Sequence, residues 1–189
     1  QIPALSVRPE SGSAWQLDAP APLELGQQQA RLGELCLRQV KQSLCADGEW
    51  VAPRWQGQLN LTGIDLAPWR TVLGEEWTLA GTVAGTLNAQ GSSEQATGTL
   101  MARADRVLLE RRSPIAGLPP ERFLTIPELR LSGQATDTGL VATLTGTPGE
   151  RGRLAAKLAI PGYDGRWREV SGLPVEGQLQ LETDELAPL

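Results

Sequence analysis

The dominant pattern along the chain is an alternation of apolar and polar residues with a period of two, which is typical of strands with one apolar face. Within residues 79–90, Leu79, Val83 and Leu87 share one face, whereas Thr82 lies on the other. Similar alternation recurs in residues 57–62, 97–104, 129–135, 140–145, 153–160 and 175–182. The sequence therefore predicts an all-β protein of mainly antiparallel strands.

Many positions on the apolar side of these strands carry small residues. They are Gly57, Gly81, Gly85, Gly98, Ala102, Gly133, Ala142 and Gly177. Small residues leave volume unfilled in a closed core, which costs stability, whereas an apolar guest could fill the same space in an open groove. The alternative is that the glycines let the sheet bend or bulge. Both interpretations are compatible with the fold we predict: a long, strongly curved, mainly antiparallel sheet that forms an open groove.

The large apolar residues that share one alternation phase within each strand are the candidate lining of this groove. They are Leu59, Leu61, Leu79, Val83, Leu87, Leu100, Leu131, Leu140, Leu144, Leu154, Leu158, Leu179 and Leu181. Such a surface suits lipid acyl chains or the strands of a β-rich client. A structural sandwich or adhesin module with a filled core is a third interpretation.

Helical signals are weak. In residues 64–74, Asp65 could cap a single turn that Gly74 closes, and Pro68 would keep the turn short. The proline-rich residues 113–120 are typical of a loop.

Cys36 and Cys45 lie in two short apolar runs that flank a polar middle, which is a hairpin pattern. Cysteines that face each other across an antiparallel pair are within reach of a disulfide. This pattern favours a disulfide over two buried free thiols, and hence an oxidising compartment.

Charge and residue content exclude several functions. The net charge is −5 and histidine is absent, so the sequence favours neither nucleic-acid binding nor a histidine-based metal or catalytic site. The chain shows no Gly-x-Ser-x-Gly elbow and no P-loop. The acidic pairs at Glu75–Glu76 and at Asp184–Glu185 are adjacent residues, which point to opposite faces of a strand. We predict a protein that is not an enzyme and binds no cofactor, metal or nucleic acid.

A sequence repeat links two distant strands. Residues 57–69 and 177–189 share Gly, Gln and two Leu in register, followed by Leu-Ala-Pro, at a spacing of 120 residues. A single recurrence does not define a solenoid, but it indicates that a module begins again near residue 177.

Several of these features resemble TamB-like proteins of the AsmA-like group of Gram-negative envelope proteins. The resemblance rests on the Leu-rich strands that end in Asp-Leu-Ala-Pro at 65–68, the Gly/Thr-rich strands of 81–91 and 98–102, and the cysteine hairpin of 36–50. It implies that residues 1–189 are a single continuous β-sheet segment from the periplasmic C-terminal half of a longer protein anchored in the inner membrane.

The same resemblance implies a function. TamB-like proteins form an open "β-taco" that partners TamA, an Omp85-type barrel, in the translocation and assembly module. The expected role is to shield phospholipid acyl chains across the periplasm and to support assembly of outer-membrane proteins and autotransporters. The alternative within this resemblance is a chaperone-like groove that holds strands of outer-membrane clients.

Overall fold

A computed structural model describes residues 1–8, 13–69, 73–74, 76–113, 118–149, 151–166 and 172–182. Its strands are β1 (Ser6–Val7), β2 (Trp15–Leu17), β3 (Leu23–Leu25), β4 (Gln29–Gln39), β5 (Gln42–Val51), β6 (Arg54–Asp65), β7 (Trp77–Gly91), β8 (Ala96–Arg111), β9 (Glu121–Ala135), β10 (Gly139–Gly146), β11 (Arg153–Pro161) and β12 (Glu176–Glu182). The alternating segments lie within strands, as predicted, apart from Val175, which precedes β12. The all-β fold class is therefore confirmed.

The strands form one antiparallel sheet in the order β1-β2-β4-β5-β6-β7-β8-β9-β10-β11-β12, with β3 also paired to β4. From β4 onward each strand pairs with its neighbour in the chain, so this part is a meander. The sheet remains open, without closing into a barrel, as the predicted fold class requires. Short turns join β4 to β5, β5 to β6, β7 to β8 and β9 to β10, as in hairpins, and longer segments join the other strands of the meander.

Four irregularities in strand pairing interrupt the regular ladder of the long strands. The register shifts between Leu32 and Leu35 on β4 and between Leu61 and Ile64 on β6. A third shift separates Ala80 from Thr82 on β7, next to Gly81 with a φ of 131°. A fourth separates Leu109 from Glu110 on β8, in the pairing with β9. Such bulges increase local twist and bend a strand, which accounts for a curved rather than a flat sheet.

The chain exposes far more surface than a compact protein of its size. Its accessible surface is 13,299 Å² for 20.2 kDa, whereas a compact monomer of that mass exposes about 8,800 Å². The buried apolar residues of the described part are few: Ala21, Ala104, Ile126, Pro148 and Tyr163. The described residues therefore form a single layer without a filled core.

The predicted turn after β6 is a short 3-10 turn at Ala67–Trp69. The Asp65 carboxylate accepts a hydrogen bond from the Ala67 amide at 2.9 Å, which matches the predicted capping role. Residues 70–72, the central part of the proline-rich loop at 114–117 and the second half of the repeat at 183–189 lie outside the described residues.

Candidate functional site

The apolar side chains line up in rows that cross the sheet from strand to strand. One row contains Leu35, Ala46, Leu59, Leu87, Leu100, Gly133, Ala142, Leu158 and Gly177. The next contains Leu37, Leu44, Leu61, Gly85, Ala102, Leu131, Leu144, Ala156 and Leu179. Because successive residues alternate between faces, these rows lie on one side of the sheet, here called the apolar face.

Two more rows extend this face on either side. One contains Ile64, Val83, Ala104, Leu129, Gly146, Leu154 and Leu181. The other contains Leu32, Gly48, Gly57, Ala89, Gly98, Ala135, Leu140 and Ile160. The candidate lining residues thus fall into shared rows, apart from Leu79, which lies beyond the bulge at Gly81 and opposite Leu109.

The glycines on the apolar face differ in what they permit. A Cβ on Gly85 would lie 2.7 Å from the carbonyl oxygen of Met101, and a Cβ on Gly98 would lie 2.5 Å from that of Asn88. Glycine is therefore required at these positions for the close approach of neighbouring backbones, as at a bend. At Gly177, in contrast, a Cβ would meet nothing within 4 Å. The bending interpretation thus applies at Gly85 and Gly98, whereas Gly177 on β12 lies beside open space.

The opposite face is polar and carries two broad depressions. One, of about 940 Å³, is bordered by two rows of polar side chains that include Asp47, Glu49, Gln58, Asn88 and Gln134. A second depression of about 620 Å³ is bordered by Asn60, Thr86, Met101, Arg103, Ser132 and Thr143, with Leu61 and Leu131 also contributing. Sequence reasoning missed both depressions, although the recurrence of Gln, Asn and Thr in the polar phase was a usable signal.

Charged side chains on the polar face pair with each other. Arg103 donates to Asp105 at 2.8 Å and to Glu128 at 2.8 Å, and Arg130 also pairs with Glu128. The hydrogen bond to Asp105 and the charges of Asp105 and Glu128 raise the pKa of Arg103. Since Arg103 and Arg130 face each other across β8 and β9, the two carboxylates offset a repulsion between like charges.

The predicted disulfide between Cys36 and Cys45 is confirmed, with the two Cα atoms 4.0 Å apart in facing positions of β4 and β5. Cys45 faces Asn60, which faces Thr86, so the disulfide lies on the polar face. The Glu34 carboxylate is within 4.8 Å of both sulfur atoms. Bonded to each other, these sulfurs supply no thiolate, so the trio is not a metal centre in this state.

The segment after β11 returns to the turn between β7 and β8. The Tyr163 hydroxyl donates to the carbonyls of Ala96 at 2.8 Å and Gly165 at 3.1 Å, and the Ala96 amide donates to Gly165 at 2.7 Å. Burial, and secondarily the charge of Asp164, raise the pKa of Tyr163. These hydrogen bonds connect the segment after β11 to the start of β8, across the β9–β10 hairpin that lies between them.

Together, the fold and the two faces define an open antiparallel β-sheet protein that presents a broad apolar face. No protein-family model, curated protein or solved structure matches this chain. Within the described residues, no helix has the length and apolar character needed to cross a membrane.

Proposed function

We propose that this chain carries apolar molecules on its apolar face, and that its ligands are the acyl chains of phospholipids. The observation that supports the proposal is the continuity of the apolar rows across the sheet without a covering layer in the described residues. Leu87, in the middle of one row, and Leu158, further along the same row, remain 39% and 43% exposed. Contiguous exposed apolar surfaces in a folded protein are often interaction sites.

The energetic gain from such a surface is large. Transfer of one methylene from water to an apolar surface is worth about 0.8 kcal/mol when burial is complete. An acyl chain that lies along a row would bury only one side of each methylene, so each gains a fraction of that value. A dozen methylenes still provide several kcal/mol, which is enough for reversible transfer.

The resemblance to TamB-like proteins extends this proposal to a cellular role. In that role the chain is part of a conduit in the periplasm that transfers phospholipid to the outer membrane and supports outer-membrane protein assembly beside an Omp85-type partner. The disulfide between Cys36 and Cys45 supports an oxidising compartment such as the periplasm.

Photo-crosslinking tests the proposal with a pair of adjacent positions on opposite faces. We would place a photoreactive phenylalanine analogue at Leu87 on the apolar face or at Met101 on the polar face. Met101 faces Thr86, the residue before Leu87, and is 65% exposed, so it is the more accessible of the two positions. We expect phospholipid adducts from vesicles at position 87 and few at position 101.

Equal labelling at both positions would contradict the proposal. The yield of phospholipid adducts would then depend on the exposure of the position and not on the apolar face. A second test introduces a charge with Leu87→Lys or Leu144→Lys. A variant that still folds should capture less lipid, and unchanged capture would refute the assigned lining.

A chaperone-like role on the same face is the alternative, since strands of an unfolded barrel protein also present apolar residues with period two. Adducts to such clients and not to phospholipid would favour it. A third outcome is a structural module, which native mass spectrometry would indicate by the absence of any bound lipid or detergent.

A further inference from the structure

The two edges of the sheet are unequal. At one edge, the outer side of β4 is covered by the three-residue strands β2 and β3, and the two-residue β1 pairs with β2. Pro20 and Pro22 lie between these short strands. Short strands and prolines limit the addition of further strands to an edge.

At the other edge, β12 is seven residues long, contains no proline and is exposed along its whole length. One side of β12 pairs with β11. Its other side has no partner strand among the described residues. An unpaired edge of this kind is a template for strand addition.

The sequence repeat indicates which strand this edge would take. Gly177, Leu179 and Leu181 of β12 repeat Gly57, Leu59 and Leu61 of β6. Both sets lie on the apolar face, since Leu61 and Leu179 share one row and Leu59 and Gly177 share the next. Strand β6 and strand β12 are therefore equivalent in sequence and in orientation.

The partner on the far side of β6 is β7, in an antiparallel register. Leu59 faces Leu87, Asn60 faces Thr86 and Leu61 faces Gly85. The shared residues on β12 present the same succession of Gly, Gln and Leu side chains to a new strand, with Gln180 in place of Asn60.

We propose that the edge of β12 that faces away from β11 binds an antiparallel strand of the β7 type, with Gly, Leu and Ala on the apolar face and Thr and Asn on the polar face. In the register of β6 and β7, Gln180 would face the residue equivalent to Thr86, and Gln178 the residue equivalent to Asn88. This inference concerns the edge and not the apolar face, so it stands independently of lipid binding.

Disulfide trapping tests both the site and its register. The probe is a peptide with the sequence of residues 82–91, in which cysteine replaces either Thr86 or Asn88. It is mixed with the full chain carrying Gln180→Cys or Gln178→Cys in a glutathione redox buffer. The chain's own two cysteines are bonded to each other, so the introduced thiol is the reactive one.

We expect the pairs 180 with 86 and 178 with 88 to form at least ~10-fold more mixed disulfide than the crossed pairs, because diagonal positions lie about 7–8 Å apart. Both glutamine side chains are exposed, so the variants should fold like the parent. A scrambled peptide provides the background. Hydrogen exchange at the β12 amides should also slow when the matched peptide binds.

Equal trapping in matched and crossed pairs, or trapping equal to that of the scrambled peptide, would overturn the proposal. Disulfide-linked dimers of the Gln180→Cys chain in preference to the peptide adduct would also overturn it, since the edge would then take a second copy. Lipid adducts at position 87 report on the apolar face alone, so failure of one proposal is distinguishable from failure of the other.

Discussion

Strands β6 and β12 carry nearly the same sequence in very different surroundings. In β6, Leu59 and Leu61 are half-buried between β5 and β7. In β12, the equivalent Leu179 and Leu181 are 73% and 46% exposed, because only β11 lies beside them. Local sequence thus sets which face a side chain joins, and the number of neighbouring strands sets how much of it is buried.

The largest expected difference between these strands comes from placing a charge on the apolar face. Leu59→Asp should lower the free energy of unfolding by about 3 kcal/mol, because it replaces a half-buried leucine with a partly desolvated, unpaired carboxylate. Leu179→Asp should lower it by less than about 0.5 kcal/mol, because the site is open to water. Urea unfolding followed by tryptophan fluorescence measures both, and equal losses would contradict the comparison.

Removal of the disulfide should rank next, since it links β4 and β5 near the well-paired β6. The double variant Cys36→Ser with Cys45→Ser frees a loop of about ten residues in the unfolded chain, which should cost about 2.5–3 kcal/mol. Thermal unfolding with and without a reductant measures the effect. A reductant should shift the parent protein and leave the serine variant unchanged.

Glycine substitutions sharpen the contrast between the centre and the edge. Gly98→Ala should lower the free energy of unfolding by about 1–3 kcal/mol. The new Cβ would lie 2.5 Å from the Asn88 carbonyl oxygen and would force the neighbouring strands apart. Gly177→Ala should be within about 0.5 kcal/mol of the parent, because nothing lies within 4 Å of the new Cβ. If both were neutral, bending at β7 and β8 would not depend on glycine.

The smallest expected effect concerns the tie between the segment after β11 and β8. Tyr163→Phe removes the hydroxyl that bonds Ala96 and Gly165, at a cost of about 1 kcal/mol. The folded pKa of Tyr163 is raised above its usual 10.0, so folding favours the protonated hydroxyl. The resulting stability is fully present below about pH 10 and is lost as the pH rises through the folded pKa.

Tyr163 is the only tyrosine, so its ultraviolet absorbance reports this titration directly. We expect a midpoint above 10 in the folded protein and near 10 in urea. Coincident midpoints would show that the hydroxyl is not held by this contact.

Much of the fold was predictable because period-two alternation is a local property of each strand. This alternation predicted that Val83 and Leu87 share one face and that the two cysteines face each other in a hairpin. Both predictions used only residues that are close together in the chain. The position of the two depressions on the polar face, where the sequence had predicted an apolar groove, was not predictable in the same way. Whether a row of glutamines and asparagines borders a hollow depends on how the twisted strands sit beside each other.

The sequence by itself determined the class of fold, the two faces of each strand and the pairing of Cys36 with Cys45, since these follow from residues close together in the chain. Only the tertiary structure decided which glycines are obligatory and which leucines are covered. The physical reason is that close approach at Gly85 or open space at Gly177 depends on the adjacent strand, whose position and register are set by the whole sheet.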